Sequence, residues 1–422
     1  MWQGRTGFAV LAIIAAVFAF PLYLPGQSDV NDHKFEVYSW WTGPGEADGL
    51  TAMAHQFTKD NPGVTFVNSA VSGGAGSNAK AVLASRLLAS DPPDSYQRHA
   101  GLELQDDVRS GKVQDITGLY QQQGWLKTMP QGLLNDMSID GKFYAVPVNI
   151  HRANLMWYNP KTLRTLGVAN APKTWEEFLT QAPGIKARGL VPLALGPEWT
   201  QKHLLETILL GELGADRYEG LWDGLTSWRA PEVSTALDTF KQVLKYTDLN
   251  SAAADWEPQV DHIADGSAAY AVMGDWAYSY LTGTKKLEWR ETVAVVASPG
   301  TDGIFDFLSD TFTLPTGSRH ADLAKKWLIE CGSTAGQTLF NPLKGSVPAR
   351  TDADPAPYAN YLAWDLQQWR DPNTRIVGSL THGVVANNAW NSEIDTALGL
   401  FLQDGDTTKF ASAVATKYQE TK

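Results

Sequence analysis

One stretch, residues 34–67, limits what this chain can fold into more than any other. Lys34 to Ser39 reads as a strand, with Phe35 and Val37 alternating against Glu36. It runs into a Gly/Pro-rich loop, Trp40-Trp41-Thr42-Gly43-Pro44-Gly45. Glu46 to Asp60 then carries Leu50, Met53, Ala54 and Phe57 at helical spacing, and Asn61-Pro62-Gly63 stops that helix. Val64-Thr65-Phe66-Val67 resumes a strand. Strand, loop, helix, turn and strand make a βαβ unit, which implies an α/β sheet. In open sheets of this kind ligands sit beyond the carboxyl ends of the strands. Trp40, Trp41 and Glu46 fall at that position.

The alternation continues along the chain. Residues 78–89 show helical spacing through Val82, Leu83, Leu87 and Leu88, and Asp91-Pro92-Pro93-Asp94 breaks it. Residues 95–100 form a short strand leading into another loop. Residues 141–151 read as a strand interrupted by Pro147, which suggests a crossing between sheets. Asn159-Pro160 and Lys173-Thr174-Trp175 mark helix starts, and residues 204–246 are mostly helical. Strands are expected at 268–274, ending at Asp275-Trp276, at 292–297 and at 309–314, with a helix over 321–331. There is no internal repeat. The glycines of Ser72-Gly73-Gly74-Ala75-Gly76 lack the Gly-Lys-Ser/Thr ending of a phosphate loop and read as a surface loop. At 422 residues the chain exceeds one ordinary core and should form two lobes.

A formal net charge of -12 argues against nucleic acid and against an anionic lipid surface as partners. Sixteen tryptophans is a high count; most are expected in the core, but a surplus suits a sugar binder, because indole faces match the C–H-rich faces of a sugar ring. The single cysteine, Cys331, rules out an internal disulfide and a Cys-rich metal site, and its apolar helical context reads as a small buried hydrophobe. Arg5 precedes an apolar run over residues 7–24, followed by Gly26-Gln27-Ser28-Asp29, the order of a secretory leader. Val17-Phe18-Ala19 fits the cleavage rule, with Leu24-Pro25-Gly26 as the alternative, so residues 1–26 are assigned as a signal peptide. The length of the run also suits an uncleaved anchor, a reading that Pro21 and Pro25 disfavour. No cysteine follows it, so a lipoprotein is not expected, and the exported chain is expected in the periplasm.

Individual residues carry two readings each. Glu46 opens a helix, where the dipole favours an acid, yet it also sits where a ligand hydroxyl would need an acceptor. Neighbouring residues of a strand face opposite ways, so Trp40 and Trp41 should part, with Trp41 the stronger ligand candidate. Gln97 and His99 are two apart and share a face. Trp256 follows a polar loop as a lobe-closing indole, Trp276 ends a buried strand, and Asp275 reads as the cap of the next helix. No Gly-x-Ser-x-Gly elbow, His-Glu-x-x-His or Cys-His context is present, so an enzyme is not expected. A secreted glycosidase, using paired carboxylates, is the competing reading outside the binding-protein class.

Several motifs carry a resemblance over nearly the whole exported chain. They are Trp40-Trp41-Thr42-Gly43 through Glu46, Tyr144-Ala145-Val146-Pro147, Leu155-Met156-Trp157-Tyr158-Asn159, Lys173-Thr174-Trp175-Glu176-Glu177-Phe178, residues 268–276 and Lys344-Gly345-Ser346-Val347-Pro348-Ala349-Arg350. On these the chain resembles the extracellular solute-binding proteins of carbohydrate ABC importers, the maltodextrin-binding type. Trp40-Trp41, Gln97 with His99, Lys344-Gly345-Ser346 and His382 point to the bacterial periplasmic glucose-binding branch. The resemblance implies an α/β, two-lobed periplasmic binding protein fold of type II, hinged, with ligand in the interlobe cleft. One lobe would hold 34–146 plus 307–351, the other 147–306 plus 352–422. Asp310 resembles the family's carboxylate that takes two sugar hydroxyls. Lys344 and His382 would be donors, with His151, near the hinge, in a secondary place. The implied ligand is glucose, with galactose or mannose as near relatives and a disaccharide or glucoside as the alternative. The implied partner is an ABC permease in the inner membrane. A monomer without cofactor or metal is expected, and a sugar sensor for a membrane kinase would use the same cleft.

Overall fold

The computed structural model describes residues 33–73, 76–248 and 255–421. The leader assigned to residues 1–26 lies outside them, as do Gly74 and Ala75 of the glycine-rich loop. The opening unit forms as its pattern requires. Strand β1 (Lys34–Ser39) and β2 (Thr65–Ala70) pair in parallel, joined by the helix Glu46–Asp60. That helix buries Leu50, Met53, Ala54 and Phe57, and Asn61 stops it by donating its side-chain amide to the Phe57 carbonyl at 2.8 Å.

Five strands build the first sheet, in the order β2-β1-β3 (Ser95–His99), then Asp310–Thr313, then β4 (Ala145–Pro147). Asp310–Thr313 runs antiparallel to β3, with Asp310 opposite His99 and Phe312 opposite Gln97. The other large sheet has four strands, Ala294–Ala297, Leu155–Tyr158, Ala268–Val272 and Val191–Ala194 in spatial order. A three-stranded sheet joins Arg375–Gly378, Ile304–Leu308 and His151–Arg152.

The chain passes between sheets where Pro147 suggested it would. Pro147 ends an edge strand, where its missing N–H costs no ladder bond, and residues 148–150 lead to the next sheet. The return runs through Ser309, between Ile304–Leu308 and Asp310–Thr313. These crossings are tied side by side. The Val148 amide donates to the Asp310 carbonyl at 3.0 Å, the Ser309 hydroxyl to the Asn149 carbonyl at 2.7 Å, and Ile150 and Val347 exchange backbone bonds at 2.7 and 3.0 Å.

Two large buried clusters, the first of which runs through the crossings themselves, and a third, smaller one form the core. The first packs Phe35, Phe57, Phe312 and Trp327 between the first sheet and its helices. The second packs Leu205, Ile208, Phe240, Tyr270 and Trp390. Several expected boundaries moved; the run 141–151, for one, is split into Lys142–Phe143, Ala145–Pro147 and His151–Arg152. The helical stretch 204–246 is broken into Glu198–Asp223 and Pro231–Val243, and the strand expected from Thr292 begins at Ala294. Cys331 is fully buried, as its context indicated. No helix among the described residues is long and apolar enough to cross a membrane, and no group of metal-ligating side chains occurs among them.

Candidate functional site

A cleft opens where the carboxyl end of β1 meets the crossing segments. Trp40 and Trp41 part as strand geometry requires. Trp41 turns into the core against Phe340, ring centroids 4.8 Å apart, and Phe312 at 5.6 Å. Trp40 faces His99 at 4.9 Å, and the Lys80 ammonium lies 5.3 Å from its ring. Both indoles line the cleft, and Trp40 is the more open of the two, whereas Trp41 was the stronger candidate in the sequence. Trp40 also demands a glycine beside it. Gly76 has φ 88°, and a Cβ there would come within 2.7 Å of the Trp40 ring.

Asp310 is the most constrained carboxylate of the cleft. Its Oδ1 accepts from Gln97 Nε2 and its Oδ2 from Asn149 Nδ2, both at 2.8 Å. His99 Nε2 lies 3.7 Å from Oδ1 and His151 Nε2 3.4 Å from Oδ2. Burial pushes the Asp310 carboxyl up, but His151 and then Lys344 hold it well below the usual carboxylate range. A carboxylate has about four lone-pair sites, so its oxygens retain capacity toward the cleft. Gln97 itself does not line the cleft. It is fully buried, and its Oε1 accepts from the Trp40 amide at 3.2 Å, so it braces two cleft residues from behind.

Glu46 pairs with Lys344, whose Nζ lies 2.6 Å from Oε1 and 5.8 Å from the ring centres of both Trp41 and Trp276. Trp256 and Trp276 line the same space. Gly274 allows the Trp276 ring to fold back over its own chain, since a Cβ there would meet that ring at 2.2 Å. Asp275 does not cap the helix Trp276–Ser279 with its side chain, contrary to expectation. Its carboxylate turns to His151 Nδ1 and to the Arg152 amide.

His382 enters from the loop after Arg375–Gly378, fixed by the Ser379 hydroxyl at 2.8 Å from Nδ1. Two more imidazoles pack edge-on to it, His99 at 5.4 Å and His203 at 5.7 Å. Burial pushes all three down, and each neighbouring imidazole adds to the effect on His382, so this wall stays uncharged.

Ten of the residues singled out in the sequence thus meet at one cleft: Trp40, Trp41, Glu46, His99, His151, Trp256, Trp276, Asp310, Lys344 and His382. The sequence reading missed Trp199, Asp255 and Leu308, and it placed Gly73 and Gly76 in a mere surface loop; all five also line the cleft. Trp199 had a usable signal. It follows Gly196-Pro197 after the strand Val191–Ala194 and sits in the first turn of a helix, the strand–loop–helix grammar that had marked Trp40 and Glu46. About 460 Å³ of the cleft is free of protein atoms, part of it open to solvent.

Two lobes, a crossing region between them and an aromatic, hydrogen-bonding cleft at that crossing define a solute-binding protein of the two-lobed type. Residues 43–338 match the family of bacterial extracellular solute-binding proteins, and the chain belongs to that family. The family binds solutes and is not enzymatic. The chain is similar to an uncharacterized ABC transporter extracellular-binding protein of Pyrococcus horikoshii, 32% identical over 414 residues, covering 97% of this chain and 93% of that one. It is also similar to a probable sugar-binding periplasmic protein of Rhizobium meliloti, 30% identical over 356 residues, with 82% and 84% covered. Among solved structures, the bacterial solute receptor AcbH, described as having an exclusive preference for β-D-galactopyranose, superposes with a TM-score of 0.77 at 17% identity, over 92% of this chain and 98% of that one. At that identity the likeness speaks to the fold alone.

Proposed function

We propose that this protein is the sugar-binding subunit of an ABC importer and that it captures one monosaccharide, glucose foremost, for delivery to the membrane permease. The observation that carries the reading is Asp310, a buried carboxylate kept charged, with spare acceptor capacity, in a cleft walled by Trp40, Trp199, Trp256 and Trp276. Hydroxyls bind charged acceptors with roughly 1.5–3 kcal/mol each, and micromolar affinity needs only about 8 kcal/mol. A few such bonds and one stacked ring suffice. A disaccharide or glucoside would need an aromatic-lined extension of the cleft.

The contacts are Trp40, Trp41, Glu46, His99, Trp256, Trp276, Asp310, Lys344 and His382, with Trp199 added and Gln97 acting from behind. The lobes are 34–146 with 307–351 and 147–306 with 352–422, a division supported by the strands that build each large sheet. They close on ligand by hinge motion at the crossings. The working form is a periplasmic monomer released from its leader and carrying no lipid.

Calorimetry of the exported protein against glucose, galactose, mannose and a set of disaccharides tests this. Heat with glucose and a single site support it. Silence with every monosaccharide alongside binding of a disaccharide overturns the glucose assignment.

A further inference from the structure

His151 occupies a place that the list of sugar contacts does not explain. It is fully buried at the crossing between the lobes, on the strand His151–Arg152, with its ring edge-on to Trp276 at 5.4 Å. Its Nδ1 is in very close contact with Oδ1 of Asp275, which follows the strand Ala268–Val272 of the other large sheet. Its Nε2 lies 3.4 Å from Asp310 Oδ2, outside good hydrogen-bond geometry, and has no other partner among the described residues. One ring thus stands between a carboxylate of each sheet, with an unused ring nitrogen at the cleft.

We propose that Asp275 is a positioning residue that keeps His151 doubly protonated, so that the cationic ring holds Asp310 charged and offers its Nε2–H to a ligand hydroxyl, and that sugar affinity therefore falls as the pH rises through the titration of His151. The inference rests on the sugar-cleft reading. The chemistry is simple. With Nδ1–H given to Asp275, a neutral ring would turn the Nε2 lone pair toward the Asp310 carboxylate, a repulsion that a second proton removes. The surrounding charges are divided. Asp275 and Asp310 favour the proton, although burial pushes the Asp275 carboxyl itself up; Asp365, on the helix Tyr361–Arg370, is pushed up to about 8 by burial and brings little charge to the ring at neutral pH. Lys344, at the end of the helix Thr334–Lys344, opposes it, but Glu46 engages that ammonium at 2.6 Å. Arg152 is directed elsewhere, to Asn154 and the Ile304 carbonyl, and His382 is held neutral by burial. Burial pushes His151 down, yet the balance lies above the ordinary histidine value. A raised imidazole keeps its proton at neutral pH and loses it on the alkaline side, so the loss of affinity is alkaline.

The experiment is calorimetric titration of the exported protein with D-glucose from about pH 6 to about pH 9, repeated with Asp275→Asn and His151→Gln. The wild-type dissociation constant should be level at the acid end and weaken by roughly tenfold toward the alkaline end. Asp275→Asn should shift that fall to lower pH, and His151→Gln should bind more weakly with no pH dependence. A merely structural Asp275 would lower the melting temperature and leave the profile in place. A flat wild-type profile, or an Asp275→Asn profile matching wild type, overturns the proposal while leaving the sugar reading intact. If no monosaccharide binds, the sugar reading fails separately. NMR titration of the His151 ring in the unliganded protein, assigned by its loss in His151→Gln, then decides this one: a pKa at or below the ordinary histidine value, or one unmoved by Asp275→Asn, overturns it.

Discussion

The ammonium of Lys344 and the carboxylate of Glu46 meet at 2.6 Å across two helices, Thr334–Lys344 and Glu46–Asp60, with Lys344 only 3% exposed. The pair sets the charge at one end of the cleft, between the rings of Trp41 and Trp276. Removing the lysine leaves a partly buried carboxylate without its cation, which is more costly than removing both. Lys344→Met should therefore weaken glucose binding by about 1.5–3 kcal/mol, and Glu46→Gln in the same background should recover part of the loss. Calorimetry on the two single variants and the double variant checks the coupling.

Asp310→Asn preserves shape and removes charge. It should cost roughly 1.5–3 kcal/mol of sugar affinity, and Asp310→Ala should cost more because the Gln97 and Asn149 amides then lose their acceptor. The acid side of the wild-type profile follows from the same residue. A carboxylate held low keeps its charge until the pH falls well under the ordinary carboxylate value. Binding should be unchanged between about pH 7 and about pH 5, and an acid loss in that window would remove Asp310 as the principal acceptor.

Gln97→Ala tests support without contact. It deletes the acceptor of the Trp40 amide and the donor to Asp310, and leaves buried groups unpaired. The expected result is a stability loss of about 1–3 kcal/mol, with a smaller loss of affinity than Asp310→Ala. Chemical denaturation and calorimetry separate the two.

Much of this site was legible because two rules act locally. A βαβ pattern with a loop at a strand's carboxyl end places Trp40, Trp41 and Glu46 whatever the rest of the chain does. Pro147 marks a sheet crossing because proline cannot serve a central ladder. The failures share a cause, which is partners chosen over long sequence distances. Asp275 looked like a cap because the next helix begins beside it, but its partner His151 is 124 residues away. Gln97 looked like a ligand contact because it shares a face with His99, but its side chain is spent on Trp40 and on Asp310, 213 residues on. Single-residue context does not distinguish a polar group that faces ligand from one that braces it.

Gly76→Ala should act on the sugar chiefly through Trp40, which the new methyl would crowd. The substitution places a methyl against the indole at a backbone angle that side chains rarely adopt. Glucose binding should weaken several-fold, and the tryptophan fluorescence change on adding glucose should shrink. Gly63→Ala, at a comparable φ of 88° but with nothing within 4 Å of its Cβ, controls for backbone strain.

The loop that delivers His382 is held by a second buried acid, and the partner of that acid should make a contribution to stability that falls with rising pH. Glu206 is fully buried. Its Oε1 accepts from the Leu380 amide at 2.6 Å and the Tyr218 hydroxyl at 3.1 Å, and its Oε2 accepts from the Thr381 amide at 2.9 Å. Asp306 faces it, equally buried. Burial, then the charge of Glu206, pushes the Asp306 carboxyl well above its ordinary value, against the opposing pull of Arg152. The folded chain therefore holds a proton that the unfolded chain releases above about pH 4. Between that point and the raised value, the unfolded state binds fewer protons, so stability declines as pH rises. Asp306→Asn keeps the shape and removes the ionisation. Its melting temperature should exceed that of wild type at neutral pH, and the difference should vanish toward about pH 4. Glu206→Gln should lower stability, because an amide cannot accept from Leu380 and Thr381 at both ends, and should weaken glucose binding as His382 loses its anchor. Thermal unfolding across the pH range gives the first result and calorimetry the second; an Asp306→Asn protein no more stable at neutral pH than at acid, relative to wild type, would show that the carboxyl is ionised in the fold.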